Sequence, residues 1–299
     1  MQTFNKLKYS LLILLLIAIS TSSYAQIPQT DIYMLDIVVK NNKAKFINPV
    51  KVTDNPGYDN QPYFSQDGKY LYYTAIADKE QADIFRVDLE TMKTQQVTRT
   101  KESEYSPTPI QGSTAITTVR VDQDSTQRLY QLYPFSRKPP EMLLTSVDDI
   151  GYHCWLNENH VAMFRLEETF NLHIGNKDNN RLYKIDTNIG RCLQRVPNSN
   201  DLSYVSKTDT SNWVIKRYDL RTKENVEIGP VYNQNEDFAW LNIRQIIMAD
   251  NGSLYCFDIH KKKWKKVKGF KEDLGNFYRI HFNADRTKMA VVTFTGDKP

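Results

Sequence analysis

Short apolar segments alternate with polar turns along nearly the whole chain, in the pattern of β-strands. The clearest example runs from Gln61 to Thr74, QPYFSQDGKYLYYT, where two aromatic runs flank Asp67-Gly68. An Asp-Gly pair at this place favours a tight hairpin turn, because the turn requires a positive φ. Residues 83–89 and 93–98 predict a third and a fourth strand. Four short antiparallel strands within about 40 residues are typical of one β-propeller blade.

The same unit occurs six times. In each copy an apolar residue precedes the polar turn, and these six residues follow one another at intervals of 41 to 46. They are Phe64, Pro109, Trp155, Val196, Trp240 and Phe282. The predicted third strands end at a second, independent series of positions, namely Asp36, Asp88, Tyr133, Gly175, Asp219 and Asp258. Both series predict an all-β fold, a six-bladed propeller of four-stranded antiparallel blades.

The two series are out of phase. The first predicted third strand precedes Phe64, whereas Phe282 has no third strand after it. We therefore predict that one blade takes its outer strands from residues 31–52 and its inner strands from residues 276–294. Such pairing closes the ring of a propeller and removes free sheet edges. A β-sandwich is the alternative, but it gives no reason for six copies or for a start in mid-unit.

Residues 1–25 have the pattern of a signal peptide. Lys6 and Lys8 precede the apolar run LLILLLIAI, and Ser23-Tyr24-Ala25 provides a cleavage site before Gln26. The run is shorter than the roughly 20 residues of a membrane-spanning helix. The predicted organisation is therefore a signal peptide at 1–25 and a propeller at 26–299, located in the periplasm or outside the cell.

Composition narrows the function classes. The chain contains 18 Tyr and 13 Phe, which favours strands. Its formal net charge of +4 argues against nucleic acid as a partner, because phosphate binding requires concentrated positive charge. Cys154, Cys192 and Cys256 are widely separated, and their disulfide status stays open. The five histidines are scattered, so we expect neither a metal nor a cofactor.

Two segments match a known repeat. Residues 64–69, FSQDGK, match the F-S-x-D-G-K core of the TolB-like, WD40-like propeller repeats, and residues 283–288, NADRTK, are a degraded copy. The chain thus resembles TolB-like six-bladed propellers over essentially all of 26–299. In that family TolB carries an α/β domain before its propeller and acts as a periplasmic binding protein. Residues between Gln26 and the first repeat are too few for that domain, so the resemblance implies a stand-alone exported propeller.

A ligand of a propeller is expected at the channel mouth, where loops enter the innermost strands. The positions three and five residues before each apolar residue of the first series are expected to lie in or near these loops. The polar and aromatic candidates among them are Asp59, Gln61, Glu104, Ser106, Tyr152, Arg191, Asp237 and Arg279. The alternative is that these loops only pack against one another and water.

The sequence contains no catalytic motif such as G-x-S-x-G. We therefore predict a monomeric, non-catalytic envelope module that binds a protein, peptide or glycan. The alternative is a carbohydrate-active enzyme, a glycosidase or lyase, that uses channel acids such as Asp59, Glu104 or Asp237. Residues 260–268, HKKKWKKVK, suit an anionic surface, but the placement of this run between third and fourth strands favours an exposed edge strand.

Overall fold

The computed structural model describes residues 27–40, 43–77 and 81–295. The predicted signal peptide lies outside these ranges. Within them, 24 strands form six four-stranded blades. One short helix, α1 (Lys271–Leu274), lies between the fifth and the sixth blade in the sequence. No helix in the described ranges is long and apolar enough to span a membrane.

Each of the first three blades is a continuous segment of chain, with its innermost strand first. Blade 1 consists of β3 (Tyr58–Phe64), β4 (Tyr70–Ile76), β5 (Ala82–Asp88) and β6 (Thr94–Gln96). Blade 2 consists of β7 (Ser103–Pro109), β8 (Ile116–Val121), β9 (Gln127–Leu132) and β10 (Glu141–Leu143). Blade 3 consists of β11 (Ile150–Trp155), β12 (His160–Arg165), β13 (Asn171–Asn176) and β14 (Arg181–Asp186).

Blades 4 and 5 follow the same order, whereas blade 6 combines both ends of the described chain. Blade 4 consists of β15 (Ile189–Arg195), β16 (Leu202–Ser206), β17 (Val214–Tyr218) and β18 (Asn225–Pro230). Blade 5 consists of β19 (Phe238–Asn242), β20 (Gln245–Asp250), β21 (Ser253–Asp258) and β22 (Lys263–Gly269). Blade 6 consists of β23 (Phe277–Phe282), β24 (Lys288–Phe294), β1 (Thr30–Lys40) and β2 (Lys43–Lys51).

The repeat seen in the sequence corresponds to the blades, and the six-bladed all-β fold is confirmed. The apolar residues of the first series lie in or directly after the innermost strands, and Gly68 adopts the positive φ of 69° that its turn requires. One boundary differs from the prediction. Strand β1 continues past Asp36 to Lys40, because residues 37–40 pair with residues 43–46 in a long hairpin with β2. A register shift lies between Met34 and Asp36 of this hairpin.

Strand β1 pairs antiparallel with β24, from Thr30–Phe294 to Asp36–Lys288. This is the pairing expected from the offset of the two series, and we call it the β1–β24 seam. A parallel bridge from Thr30 to Tyr58 also joins blade 6 to blade 1 in one eight-stranded sheet. The innermost strands contact one another in the order of the blades, and β23 contacts both β19 and β3.

The core lies between the blades, so both faces of a blade are apolar. Strand β1 shows why, because successive side chains of a strand point to opposite faces. Ile32 and Met34 pack with blade 1, whereas Leu35 and Ile37 pack with blade 5. One strand therefore supplies apolar side chains to two interfaces between blades.

Residues 263–268 of the lysine-rich run lie in β22, which is the outermost strand of blade 5, and residues 260–262 lie in the turn before it. Most of its side chains are exposed, as expected for an edge strand. Trp264 instead packs on Phe257, with ring centroids 5.1 Å apart, and its Nε1 donates a hydrogen bond to the carbonyl oxygen of Pro230 at 3.0 Å.

Replacing Ile32 by alanine tests the core role of β1. Ile32 is fully buried, so the cavity and the lost burial should lower the free energy of unfolding by about 2–5 kcal/mol. Val39 on the same strand is 63% exposed, and Val39→Ala should change it by less than about 0.5 kcal/mol. Urea unfolding measures both variants. Equal values for the two would contradict a core role for β1.

Candidate functional site

Side chains from all six blades converge on the central channel, which is divided into two cavities. The entry-side cavity, of about 90 Å³, lies among the middle residues of the innermost strands. The turn-side cavity, of about 300 Å³, lies beside the turns that lead to the second strands. Tyr63, Gln194 and His281 line both cavities, and the rings of Tyr63 and His281 are 3.8 Å apart. These three residues therefore separate the two ends of the channel.

The structure brings together six of the eight candidate residues. Gln61, Ser106, Tyr152, Arg191, Asp237 and Arg279 line the entry-side cavity, one from each blade. Asp59 and Glu104 are not among the described residues that line either cavity.

Backbone irregularities orient two of these residues. Gln61 and Ser106 have positive φ values of 54° and 55°, and each lies within a register shift of its innermost strand. Such bulges redirect side chains. The Oε1 of Gln61 accepts hydrogen bonds from the amide of Ser106 at 2.7 Å and from the hydroxyl of Thr74 at 2.8 Å. Gln61 thereby connects blades 1 and 2 at the cavity.

Charges on the entry side form a paired network. The guanidinium of Arg191 contacts Asp237 at 2.6 Å and Glu236 at 3.0 Å. Arg279 lies 3.7 Å from Asp237, and Lys207 contacts Glu236 at 2.7 Å. Burial alone would raise the pKa of Asp237, but Arg191 and Arg279 together lower it below its usual range. Asp237 is therefore a fixed negative charge between two cations.

Four buried polar atoms around the entry-side cavity have no hydrogen-bond partner among the described residues. They are Ser106 Oγ, His153 Nδ1, Arg191 Nε and His281 Nδ1. Burial lowers the pKa of His153 and of His281 to about 3, so both rings are neutral. Buried polar groups normally have partners. A cavity of this size holds about three water molecules or one small polar group.

Asp59 and Glu104 face the preceding blade instead of the channel. Burial raises the pKa of Asp59 to about 6, while Thr53 and Asn55 act in the opposite direction. Burial raises the pKa of Glu104 to about 7, and the hydroxyl of Thr100 donates a hydrogen bond to its carboxyl group. Since the partners come from loops after the preceding blade, these two acids belong to the joints between blades.

The sequence reasoning missed the turn-side cavity. Arg195 and Arg286 line it together with Trp155, Trp240 and Phe282. In the sequence, the three aromatic residues serve only as markers of the repeat. Their neighbours gave the available signal, because Arg195 directly precedes Val196 of the first series and Arg286 occupies the last turn.

The cysteines and histidines offer no evident reactive centre. All three cysteines lie in described residues and are free thiols. Burial raises the pKa of Cys154 to about 11 and that of Cys192 to about 12, which keeps both thiols protonated. In the part of the chain that the structure describes, no group of three or more His, Cys, Asp or Glu side chains is placed to hold a metal ion.

Glu104 should make the stability of the fold depend on pH. The folded chain holds this proton more tightly than the unfolded chain, so stability falls as pH rises from about 4.5 through about 7. Glu104→Gln removes the charge and should raise the free energy of unfolding by about 1–3 kcal/mol at pH 8, and by much less at pH 5. Urea unfolding at both pH values measures this. The exposed Glu90→Gln is the control, and an E104Q effect independent of pH would contradict the assignment.

No family model and no curated protein matches the sequence. The fold is similar to that of a TolB candidate from Agrobacterium tumefaciens, with a TM-score of 0.69 and 12% identity over 90% of this chain and 99% of that chain. TolB from Acinetobacter baumannii has a TM-score of 0.57 and 12% identity, over 89% of this chain and 64% of that chain. An oligogalacturonate lyase from Vibrio parahaemolyticus has a TM-score of 0.56 and 15% identity, over 84% of this chain and 83% of that chain.

These identities are low, so the similarities concern the fold. The same fold occurs in proteins named TolB and in an oligogalacturonate lyase, so the fold alone does not decide the function. The resemblance implied by FSQDGK at residues 64–69 is nevertheless confirmed at the level of architecture. The chain has the fold of a TolB-like six-bladed β-propeller.

Proposed function

We propose that this chain is an exported, non-catalytic binding module of the cell envelope. Its partner, a protein, peptide or glycan, contacts the entry-side mouth of the channel. The observation that carries this proposal is the lining of the entry-side cavity, to which each of the six blades contributes a polar or aromatic side chain: Gln61, Ser106, Tyr152, Arg191, Asp237 and Arg279. A ligand group placed there would meet polar side chains from several blades at once. Export rests on the signal-peptide pattern of residues 1–25.

The size of the entry-side cavity defines what it can take. At about 90 Å³ it accommodates one small polar group, such as an amide, a hydroxyl or a chain end, and not a complete sugar ring. The rest of the partner would then lie on the rim. There Arg279 packs over the ring of Tyr152, with its guanidinium carbon 5.4 Å from the ring centroid. An aromatic ring with a neighbouring guanidinium suits both peptides and glycans.

The acids are poorly arranged for the alternative, a carbohydrate-active enzyme. A glycosidase requires two carboxyl groups on either side of one bond, one of which carries a proton. Asp237 is kept ionised by two arginines, and Asp59 and Glu104 lie in joints between blades. This arrangement favours binding over catalysis by these residues.

Tyr152→Ala tests the proposed binding surface. Loss of the ring should weaken the capture of at least one envelope partner by tenfold or more, because aromatic anchors contribute strongly to interfaces. The measurement is quantitative mass spectrometry of proteins and glycans retained from native envelope by the immobilised protein. Tyr183→Ala is the matched control, since Tyr183 is half exposed on the outermost strand of blade 3. Circular dichroism checks that both variants fold.

Two results would contradict the proposal. One is equal capture of every partner by the wild-type protein, Tyr152→Ala and Tyr183→Ala. The other is reproducible turnover on a panel of glycans that is abolished by Asp59→Asn, Glu104→Gln or Asp237→Asn, which would establish the enzyme instead.

A further inference from the structure

The turn-side cavity carries an excess of positive charge. Arg195 from blade 4 and Arg286 from blade 6 line it, and no carboxylate of a described residue lies within 4.0 Å of either guanidinium. Their hydrogen bonds go to neutral acceptors. Arg195 Nη1 donates to the side chain of Gln111, and Arg286 Nη1 donates to the carbonyl oxygen of Asn283. Neither bond compensates the charge.

The two guanidiniums act on each other. Burial lowers the pKa of Arg286, Tyr63 acts against this, and the like charge of Arg195 lowers it further. The nearby acid, Asp285, accepts hydrogen bonds from the amide of Thr287 at 3.0 Å and from its hydroxyl at 2.6 Å. Since like charges repel in a partly buried site, this arrangement costs stability unless an anion lies between them.

The opposite end of the channel shows the contrast. On the entry side both arginines pair with Asp237, and Arg191 also pairs with Glu236. On the turn side, Arg195 and Arg286 line the larger cavity, and neither has an acidic partner among the described residues. The two ends of one channel therefore differ in charge balance.

The walls of the turn-side cavity are rigid. The indole nitrogen of Trp155 donates a hydrogen bond to the hydroxyl of Thr117 at 2.8 Å, and that of Trp240 donates to Ser203 at 2.8 Å. Both indoles are almost completely buried. The guanidinium carbon of Arg286 lies 5.8 Å from the ring centroid of Phe282. Such fixed walls reduce the side-chain entropy that the protein would lose when a ligand binds.

We propose that the turn-side cavity is a binding site for a small organic anion whose carboxylate or phosphate group lies between Arg195 and Arg286. Guanidinium groups match both oxyanions through paired, charge-assisted hydrogen bonds. The volume of about 300 Å³ is at the lower end of the range for small-molecule sites. This site is separate from the entry-side surface of the proposed function, because Tyr63, Gln194 and His281 lie between them.

The test is titration of the full chain with four probes at constant ionic strength. Citrate and glucuronate carry carboxylates, glucose 6-phosphate carries a phosphate, and glucose is neutral. Isothermal calorimetry measures affinity, and fluorescence follows Trp155 and Trp240 in the wall of the cavity. At least one anion should bind while glucose does not, and the preferred probe distinguishes a carboxylate from a phosphate.

Arg195→Gln and Arg286→Gln should each weaken binding of that anion at least tenfold, because each removes charge-assisted hydrogen bonds. Arg181→Gln, on the exposed outermost strand of blade 3, is the matched control and should bind as the wild type does. Arg195→Lys keeps the charge without the planar fork and should be intermediate. If one glutamine variant fails to fold, the other still tests the site.

Three outcomes would overturn the proposal: no anion binds the wild-type protein, glucose binds as tightly as the anions, or the folded Arg195→Gln and Arg286→Gln proteins bind as the wild type does. Tyr152→Ala should leave anion affinity unchanged. Loss of partner capture at the entry side and loss of anion binding at the turn side are thus distinguished.

Discussion

The β1–β24 seam is the interaction on which the arrangement of the blades depends. It joins strands from opposite ends of the described chain in one antiparallel ladder, and Thr30 at the start of β1 also forms the bridge to blade 1. Because β1 supplies Ile32 to one interface and Leu35 to another, losing this strand would expose apolar faces of two neighbouring blades. The hydrophobic cost would therefore extend beyond blade 6.

The geometry of the channel follows from this arrangement. Innermost strands from all blades place one set of side chains at the entry side and another at the turns. The same architecture produces two different sites, because charges are paired on one side and accumulate on the other. The carboxyl groups of Asp59, Glu104 and Asp237 are not brought together in one cavity.

The sequence predicted the fold well because strand alternation and turn chemistry are local properties. The hairpin around Asp67-Gly68 and the spacing of the repeats depend only on neighbouring residues. The lining of the entry-side cavity was predicted in part. Counting back from the repeat markers found Tyr152 and Arg279, but it also selected Asp59 and Glu104, which face other blades.

What the sequence could not supply was the meeting of residues from separate blades. A register shift in β15 lies between Ile189 and Leu193, so residue counting alone does not give the position of Arg191 beside Asp237. Likewise, nothing local shows that Arg195 and Arg286 share one cavity, since they come from different blades.

Hydrogen exchange on a chain lacking residues 1–52 tests the central claim most directly. This chain retains blades 1 to 5 and the inner strands of blade 6, but it lacks β1 and β2. If the seam supports the whole arrangement, amides of β12 and β16, on blades distant from the deletion, should lose their protection along with those of β24. Unchanged protection of β12 and β16, with loss confined to blade 6, would contradict the account.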